Sequence, residues 1–275
     1  MFLNNVIGQK RIKIELSAIT SGVKENVQQY ANILFRGEAG SGKTFLAQEF
    51  LRNIFGNSYT YQFPSTDNKF NFIFPVQVHQ VRGHFVDEVH NIKNIESIYP
   101  VMDSQRYIMV FATNLGGDLP EAFTSRCFIY KLDDYTDKEM VEIVIQWSKE
   151  LKFDLDKETA STIAERARKN PRVAKQYLSR INFIISSGYY PKTVKGVKAA
   201  FKDIGVYHGG YTLSDIKYLQ FLAKVERASL DTISRALKID RATILNEIEP
   251  FLIERGHISI SARGRNFEHW EGANL

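Results

Sequence analysis

Three observations predict an α/β fold in which a parallel sheet is followed by a helical region and a small domain of three helices and a hairpin. First, the apolar run Ile33-Leu34-Phe35, the glycine-rich stretch Gly37-Glu38-Ala39-Gly40-Ser41-Gly42-Lys43-Thr44 and the amphipathic residues 45 to 51 follow one another as strand, loop and helix. Second, two later apolar runs, Phe85-Val86 and residues 107 to 112, stop at polar residues, as strands buried on both faces of a parallel sheet do. Third, the period turns helical at Thr136 and stays helical to about residue 204, and residues 214 to 255 hold three further helical patterns. The expected division is residues 1–134 for the sheet domain, 135–205 for a helical lid and 206–275 for a winged helix.

In chain order, Val6-Ile7-Gly8-Gln9 precedes a helix marked by Ile12, Leu16, Ile19 and Val23 and ending near Gly22. The glycine-rich stretch comes next, with two glycines four apart before Lys and Thr. In a strand-loop-helix context this pattern cradles phosphates. The glycines let backbone N–H groups turn onto phosphate oxygens, the helix N-terminus adds the positive end of its dipole, Lys43 reaches the outer phosphates and Thr44 can hold Mg²⁺. Residues 59 to 63 alternate like a strand, and residues 64 to 83 carry no assignable pattern.

Phe85-Val86-Asp87-Glu88 closes a strand on adjacent carboxylates. Downstream of a phosphate loop that pair has defined chemistry: Asp87 reaches the metal, directly or through water, and Glu88 polarises the water that attacks the γ-phosphate. The strand of residues 107 to 112 ends in Thr113-Asn114, which brings Asn114 to the sheet edge where ligands bind in open α/β folds. After the turn Gly116-Gly117-Asp118-Leu119-Pro120 and a brief helix comes Ser125-Arg126-Cys127. Arg126 is either an ordinary surface charge or an arginine finger for a neighbouring subunit's ATP.

Thr136 and Glu139 are spaced as a capping box, and Asn170-Pro171-Arg172 reads as a helix start with Pro171 in the first turn. Arg172 is a surface charge there or a second nucleotide-sensing arginine. The turn His208-Gly209-Gly210 opens the last domain, whose hairpin tip is expected at Arg263-Gly264-Arg265. Residues 238 to 255, the third helix of that domain, hold three basic and four acidic side chains. Base reading by that helix is therefore not expected, and Arg263 and Arg265 are the expected phosphate contacts.

Composition narrows the setting. The chain has 275 residues, 44% hydrophobic and 24% charged, with no apolar run near the roughly 18 residues of a membrane span. No signal-type apolar core follows Met1-Phe2-Leu3-Asn4-Asn5, and the single cysteine, Cys127, excludes an internal disulfide or a multi-cysteine zinc site. The expectation is a cytoplasmic protein with no membrane partner. The net charge of +5 lies wholly in residues 135–205, with 14 basic against 9 acidic side chains. Ten of those basic residues fall between 166 and 202, where no acid occurs, a composition that attracts polyanions.

Together these segments resemble the RuvB family of AAA+ proteins, the motors of Holliday-junction branch migration. The likeness spans nearly the whole chain. It rests on Val6-Ile7-Gly8-Gln9, the phosphate loop, Asp87-Glu88-Val89-His90, Tyr99-Pro100-Val101-Met102-Asp103 and Ala112-Thr113-Asn114, and more diagnostically on Asn170-Pro171-Arg172-Val173-Ala174 and Glu249-Pro250-Phe251-Leu252-Ile253 with Arg263-Gly264-Arg265.

The resemblance implies a P-loop AAA+ parallel sheet with a helical lid and a C-terminal winged helix, and an ATPase that acts as a DNA motor or helicase in recombination or replication. Its cofactors would be ATP and Mg²⁺. Lys43, Thr44, Asp87, Glu88 and Asn114 would act in cis, Arg126 as the finger in trans and Arg172 as the second sensor. ATP would touch Val6, Ile7, Gly37, Gly40, Ser41, Gly42 and Phe45 as well, with Thr44 and Asp87 on the metal. The partners implied are DNA, gripped without sequence preference, and further copies of the chain in a hexameric ring or spiral. The host would be a bacterial or phage-infected cell.

Three features depart from the family pattern. Only Ser104, Gln105 and Arg106 stand where RuvB proteins carry a long hairpin that docks on RuvA, so a RuvA-type partner lacks its usual element. Thr124-Ser125-Arg126-Cys127 and Asn114 look more like clamp-loader subunits. They motivate an alternative: a helicase- or clamp-loader-type switch assembling on a replication protein with DNA.

Overall fold

The computed structural model describes residues 3–64, 81–114, 118–270 and 272. The unassigned sequence between 64 and 83 falls largely, and the turn Gly116-Gly117 wholly, outside the described residues. The chain divides into two compact units, Met1–Glu139 and Met140–Leu275.

The first unit is built on five parallel strands: β1 (Ala31–Arg36), β2 (Tyr59–Gln62), β3 (Gly83–Val86), β4 (Ile108–Thr113) and β5 (Phe128–Lys131), in the order β2-β3-β4-β1-β5. Alternation along β1 supplies two cores. Ile33 and Phe35 face one side with Leu46 and Phe50 of α2 (Lys43–Phe55) and Leu16 of α1 (Lys10–Lys24). Leu34 faces the other with Val86, Met109, Phe111 and Phe123. That second layer includes α3 (Tyr99–Asp103) and α4 (Glu121–Thr124). All six residues of β4 are buried, which explains its unbroken apolar run. Helix α1 ends at Lys24, two residues past Gly22.

The expected capping box is present at the next helix, α5 (Asp137–Glu150): the Glu139 carboxylate accepts from the Thr136 backbone and hydroxyl, both at 2.9 Å, and Thr136 Oγ1 accepts from Glu139 N. In the second unit, α6 (Lys157–Ala164), α7 (Pro171–Ser186) and α8 (Val194–Asp203) pack around Ile163, Leu178, Ile181, Val197 and Phe201, all fully buried. Asn170 caps α7, its side chain accepting from Arg172 N and Val173 N, with Pro171 in the first turn.

The winged helix follows. It comprises α9 (Leu213–Val225), β6 (Arg227–Ala228), α10 (Leu230–Leu237) and α11 (Arg241–Thr243), which continues through a π-helical turn at Ile244–Ile248 into α12 (Glu249–Glu254); β7 (Ile258–Ser261) and β8 (Gly264–Phe267) complete it. Pro250 has no N–H to return to the preceding turn, which accounts for the wider turn before it. The hairpin tip is Ala262-Arg263, not the expected Arg263-Gly264-Arg265: Gly264 and Arg265 are already paired in β8. Gly264 has φ +126, and a Cβ there would lie 2.6 Å from the Ala228 carbonyl.

Candidate nucleotide site

The sheet order places the ends of β1, β4 and β3 side by side, and the phosphate loop, Asn114 and the acidic pair meet there. Beyond β1 the chain turns through Gly40 (φ +84) and Gly42 (φ +97), conformations that favour glycine, and enters α2 at Lys43. Gly37 lies so close to Ser41 that a Cβ would press on its Oγ at 2.7 Å.

Lys43 is 5% exposed and its Nζ donates to the carbonyls of Gly37 and Glu38, both at 2.8 Å, and to Asn114 Oδ1 at 3.1 Å. Asn114 stands one residue past β4, at the edge expected. Thr44 Oγ1 donates to Asp87 Oδ2 at 2.7 Å, and Asp87 Oδ1 accepts from Glu88 N at 3.0 Å. Glu88 adopts φ +47, ψ +46, a left-handed conformation that costs a non-glycine residue about 1 kcal/mol. Its Oε2 lies 3.5 Å from His90 Nδ1, which is 2.9 Å from Thr113 Oγ1, so the acidic turn is tied to the end of β4.

Two buried side-chain atoms here, Ser41 Oγ and Glu88 Oε2, have no hydrogen-bond partner. Buried polar atoms are rarely left so unless something else satisfies them. Together with the glycine cradle they fit a phosphate chain and its attacking water. Thr44 and Asp87 offer a hydroxyl and a carboxylate to a cation. Among the described residues no cluster of three or more His, Cys, Asp or Glu could hold a metal.

Of the residues expected against the base, Val6 is not available by its side chain: it is 4% exposed and packed in the core, where Lys13 Nζ also binds its carbonyl at 2.8 Å. Ile7 is half-buried, and Phe45 is 40% exposed on the first turn of α2.

Sequence reasoning missed the roles of three residues. The Tyr135 hydroxyl donates to the Ser41 carbonyl at 3.1 Å, and its ring edge would lie 3.3 Å from a Cβ on Gly8, so this tyrosine joins the phosphate loop to the Val6–Gln9 turn. Gln9 secures the same turn, its side chain exchanging two hydrogen bonds with the Asp133 backbone at 2.7 and 3.0 Å. Tyr61 stacks on Phe85 and its hydroxyl donates to Asp87 Oδ2 at 3.4 Å; burial, then Asp87, raises its pKa. Only the position of Tyr135 just before a capping box hinted at a role.

Arg126 is at the other end of the sheet. Asn32, near the start of β1, donates to the carbonyls of Met102 and Arg126 at 3.3 and 3.2 Å. The phosphate loop starts five residues further along β1, roughly 16 Å away at about 3.3 Å per residue. The guanidinium is held by both Asp103 oxygens (2.9 and 3.1 Å) and lies over the Tyr99 ring at 4.7 Å. The Cys127 thiol beside it is pushed up to about 12, chiefly by burial. In the second unit Arg172 is exposed on the first turn of α7, beside Lys175, Gln176, Ser179 and Arg180 along a shallow groove.

The wing contacts divide. Arg263 is exposed at the tip. Arg265, expected as a phosphate contact, is instead committed inward: Nε and Nη2 donate to Glu249 Oε1 and Oε2 at 2.7 and 3.2 Å, and Tyr218 donates to the same carboxylate at 2.8 Å. Glu249 is 1% exposed, and a buried carboxylate needs that cation. Among the described residues no helix is long and apolar enough to cross a membrane.

Comparison with known proteins agrees across both units. The RuvB AAA lid domain family matches residues 135–189, and the RuvB C-terminal winged helix domain family matches residues 208–269. A Holliday junction branch migration complex subunit RuvB from Mesomycoplasma hyopneumoniae is 30% identical, covering 95% of this chain and 91% of its own length. The RuvB subunit of a Nitratiruptor species is 29% identical over 94% of this chain and 85% of its own. Among solved structures, the Thermotoga maritima RuvB Holliday junction branch migration motor superposes with a TM-score of 0.75 at 23% identity, covering 97% and 94% of the two chains. Domain III of the Thermotoga maritima replication initiation protein DnaA gives 0.57 at 15% identity over 73% of this chain. At those identities both structures speak for the fold alone.

Proposed function

Because the chain belongs to the RuvB family of AAA+ ATPases, we propose that it is an ATP-driven DNA motor of recombination whose active site is shared between adjacent subunits. The observation that supports this reading is the meeting of Lys43, Thr44, Asp87 and Asn114 at one sheet edge, while Arg126 is held at the opposite edge. An arginine that far from its own phosphate loop serves a neighbour's.

In this reading Lys43 binds the outer phosphates in exchange for its loop carbonyls, and Asn114, already on Lys43, orients the same group. Glu88 takes the proton of the attacking water, with His90 and Thr113 fixing its turn. Thr44 and Asp87 would hold Mg²⁺, whose chemistry is to neutralise phosphate charge. Arg172 from the lid is the second sensing arginine. The three-part division at residues 134 and 205 describes the working parts, and a ring or spiral of copies brings each Arg126 to the next site.

DNA is gripped by its backbone, with Arg263 the wing contact. The relatives named above give no support to the replication-partner alternative. The test is ATP hydrolysis by the purified protein with and without four-way and duplex DNA at low salt. DNA-stimulated turnover is expected, and its absence together with absent DNA binding would remove the motor reading.

A further inference from the structure

All of the chain's excess positive charge sits in residues 135–205, yet neither the nucleotide site nor the wing uses most of it. Eight of the ten basic residues between 166 and 202 separate by where they lie, and of the other two Lys192 sits 5.6 Å from the Phe153 ring and Lys169 follows Arg168 in the turn before α7. Arg166 is 4% exposed, bonded to the Thr162 carbonyl and Glu165 and lying 5.0 Å from the Phe201 ring. Arg168 is paired with Asp215, donates to the Gly210 carbonyl at 3.0 Å and lies 3.7 Å over Phe251. These two are structural. Arg172, Lys175 and Arg180 share the groove on α7 that already includes the proposed sensor.

Helix α8 is different. Lys195, Lys198 and Lys202 recur at i, i+3 and i+7, so they form one ridge, opposite the buried Val197, Ala200 and Phe201. All three are exposed, and among the described residues none makes an ion pair. The acid that follows, Asp203, is engaged by the Tyr190 hydroxyl at 2.6 Å. Like charges at this spacing repel and weaken the helix that carries them. The ridge is about 10 Å long at about 1.5 Å per residue, enough for its three mobile side chains to reach two to three successive phosphates of one DNA strand. Lysine, a mobile point charge, suits backbone contact without base reading.

We propose that Lys195, Lys198 and Lys202 form a second DNA-backbone contact on the lid, separate from Arg263 on the wing. The assignment rests on the DNA-motor reading above and extends it: the lid is a gripping surface as well as a sensor. Its signature is electrostatic. Each phosphate contact contributes about 0.9 to the slope of log K against log salt concentration.

The experiment is fluorescence anisotropy of labelled duplex DNA with the full-length protein across a salt series. It compares wild type, the triple variant Lys195→Gln/Lys198→Gln/Lys202→Gln, the corresponding triple arginine variant and Arg263→Gln. The glutamine variant should lower the slope by about 2 to 3, the arginine variant should retain it, and Arg263→Gln should lower it by about 1. A wild-type slope in the glutamine variant overturns the assignment and leaves the motor reading standing. The same unchanged slope with weakened self-association in sedimentation makes the ridge a subunit contact, which also overturns it. Failure of wild type to bind DNA at low salt overturns both.

Discussion

Buried charge is handled in opposite ways at the two ends of the chain. At the phosphate loop, Lys43 and Asp87 are each 5% exposed, Lys43 donates to loop carbonyls, and Ser41 Oγ and Glu88 Oε2 remain buried without partners. In the winged helix, Glu249 is equally buried, but Arg265 meets both of its oxygens and Tyr218 one, with no atom of that cluster left over. The first arrangement is incomplete until a ligand arrives. The second is complete and holds the hairpin to α12. Burial of a charge therefore does not by itself separate binding from structure: at the phosphate loop two orphaned atoms mark the site, whereas the Glu249 cluster leaves none.

The largest effects should come from the incomplete site. Glu88→Gln is expected to keep ATP binding and lower turnover by about 10²-fold or more, the scale of a lost general base, in a steady-state assay paired with a nucleotide-binding titration. Unaltered turnover would take Glu88 out of its role. At the complete cluster the effect moves to stability: Glu249→Ala strands Arg265 and should cost about 3 kcal/mol in urea unfolding, with nucleotide affinity unchanged. A loss of ATP binding without a loss of stability would reverse the contrast.

Smaller effects sharpen it. Tyr135→Phe removes one hydrogen bond that holds the phosphate loop before any nucleotide binds, so it should lower stability by about 1 kcal/mol, read as a fall of about 2 to 4 °C in melting temperature. His84, 1% exposed in β3, is lowered to about 4 by burial. Its unfolded form takes up a proton first, so its contribution to stability is present above about pH 6.5 and lost as the pH falls toward 4. Between about pH 7 and pH 6 that loss should be under about 1 kcal/mol, and His84→Gln should flatten it in thermal melts.

How much was legible follows the same division. The phosphate loop, the acidic pair and Asn114 could be read because the chemistry of phosphate binding dictates residue type and spacing within a few positions. Capping residues such as Thr136 and Asn170 were legible for a similar local reason. The inward pairing of Arg265 was not legible because its partner, Glu249, lies 16 residues back and meets it only when the hairpin folds onto α12. The burial of Val6 was not legible because an apolar residue looks the same whether it lines a pocket or fills a core. Tyr135 reaches Ser41 across 94 residues of sequence, a contact that no local pattern encodes.

The account's central claim is a site completed by a neighbour, and mixing two inactive variants tests it most directly. Arg126→Ala keeps its phosphate loop and lacks the finger; Lys43→Ala keeps the finger and lacks the loop lysine. Each alone should be inactive. In an equal, randomly assembled mixture about a quarter of the interfaces unite an intact loop with an intact finger, so DNA-stimulated hydrolysis should return to about a quarter of wild type. Mixtures that assemble but stay as inactive as the separate variants would contradict a shared site.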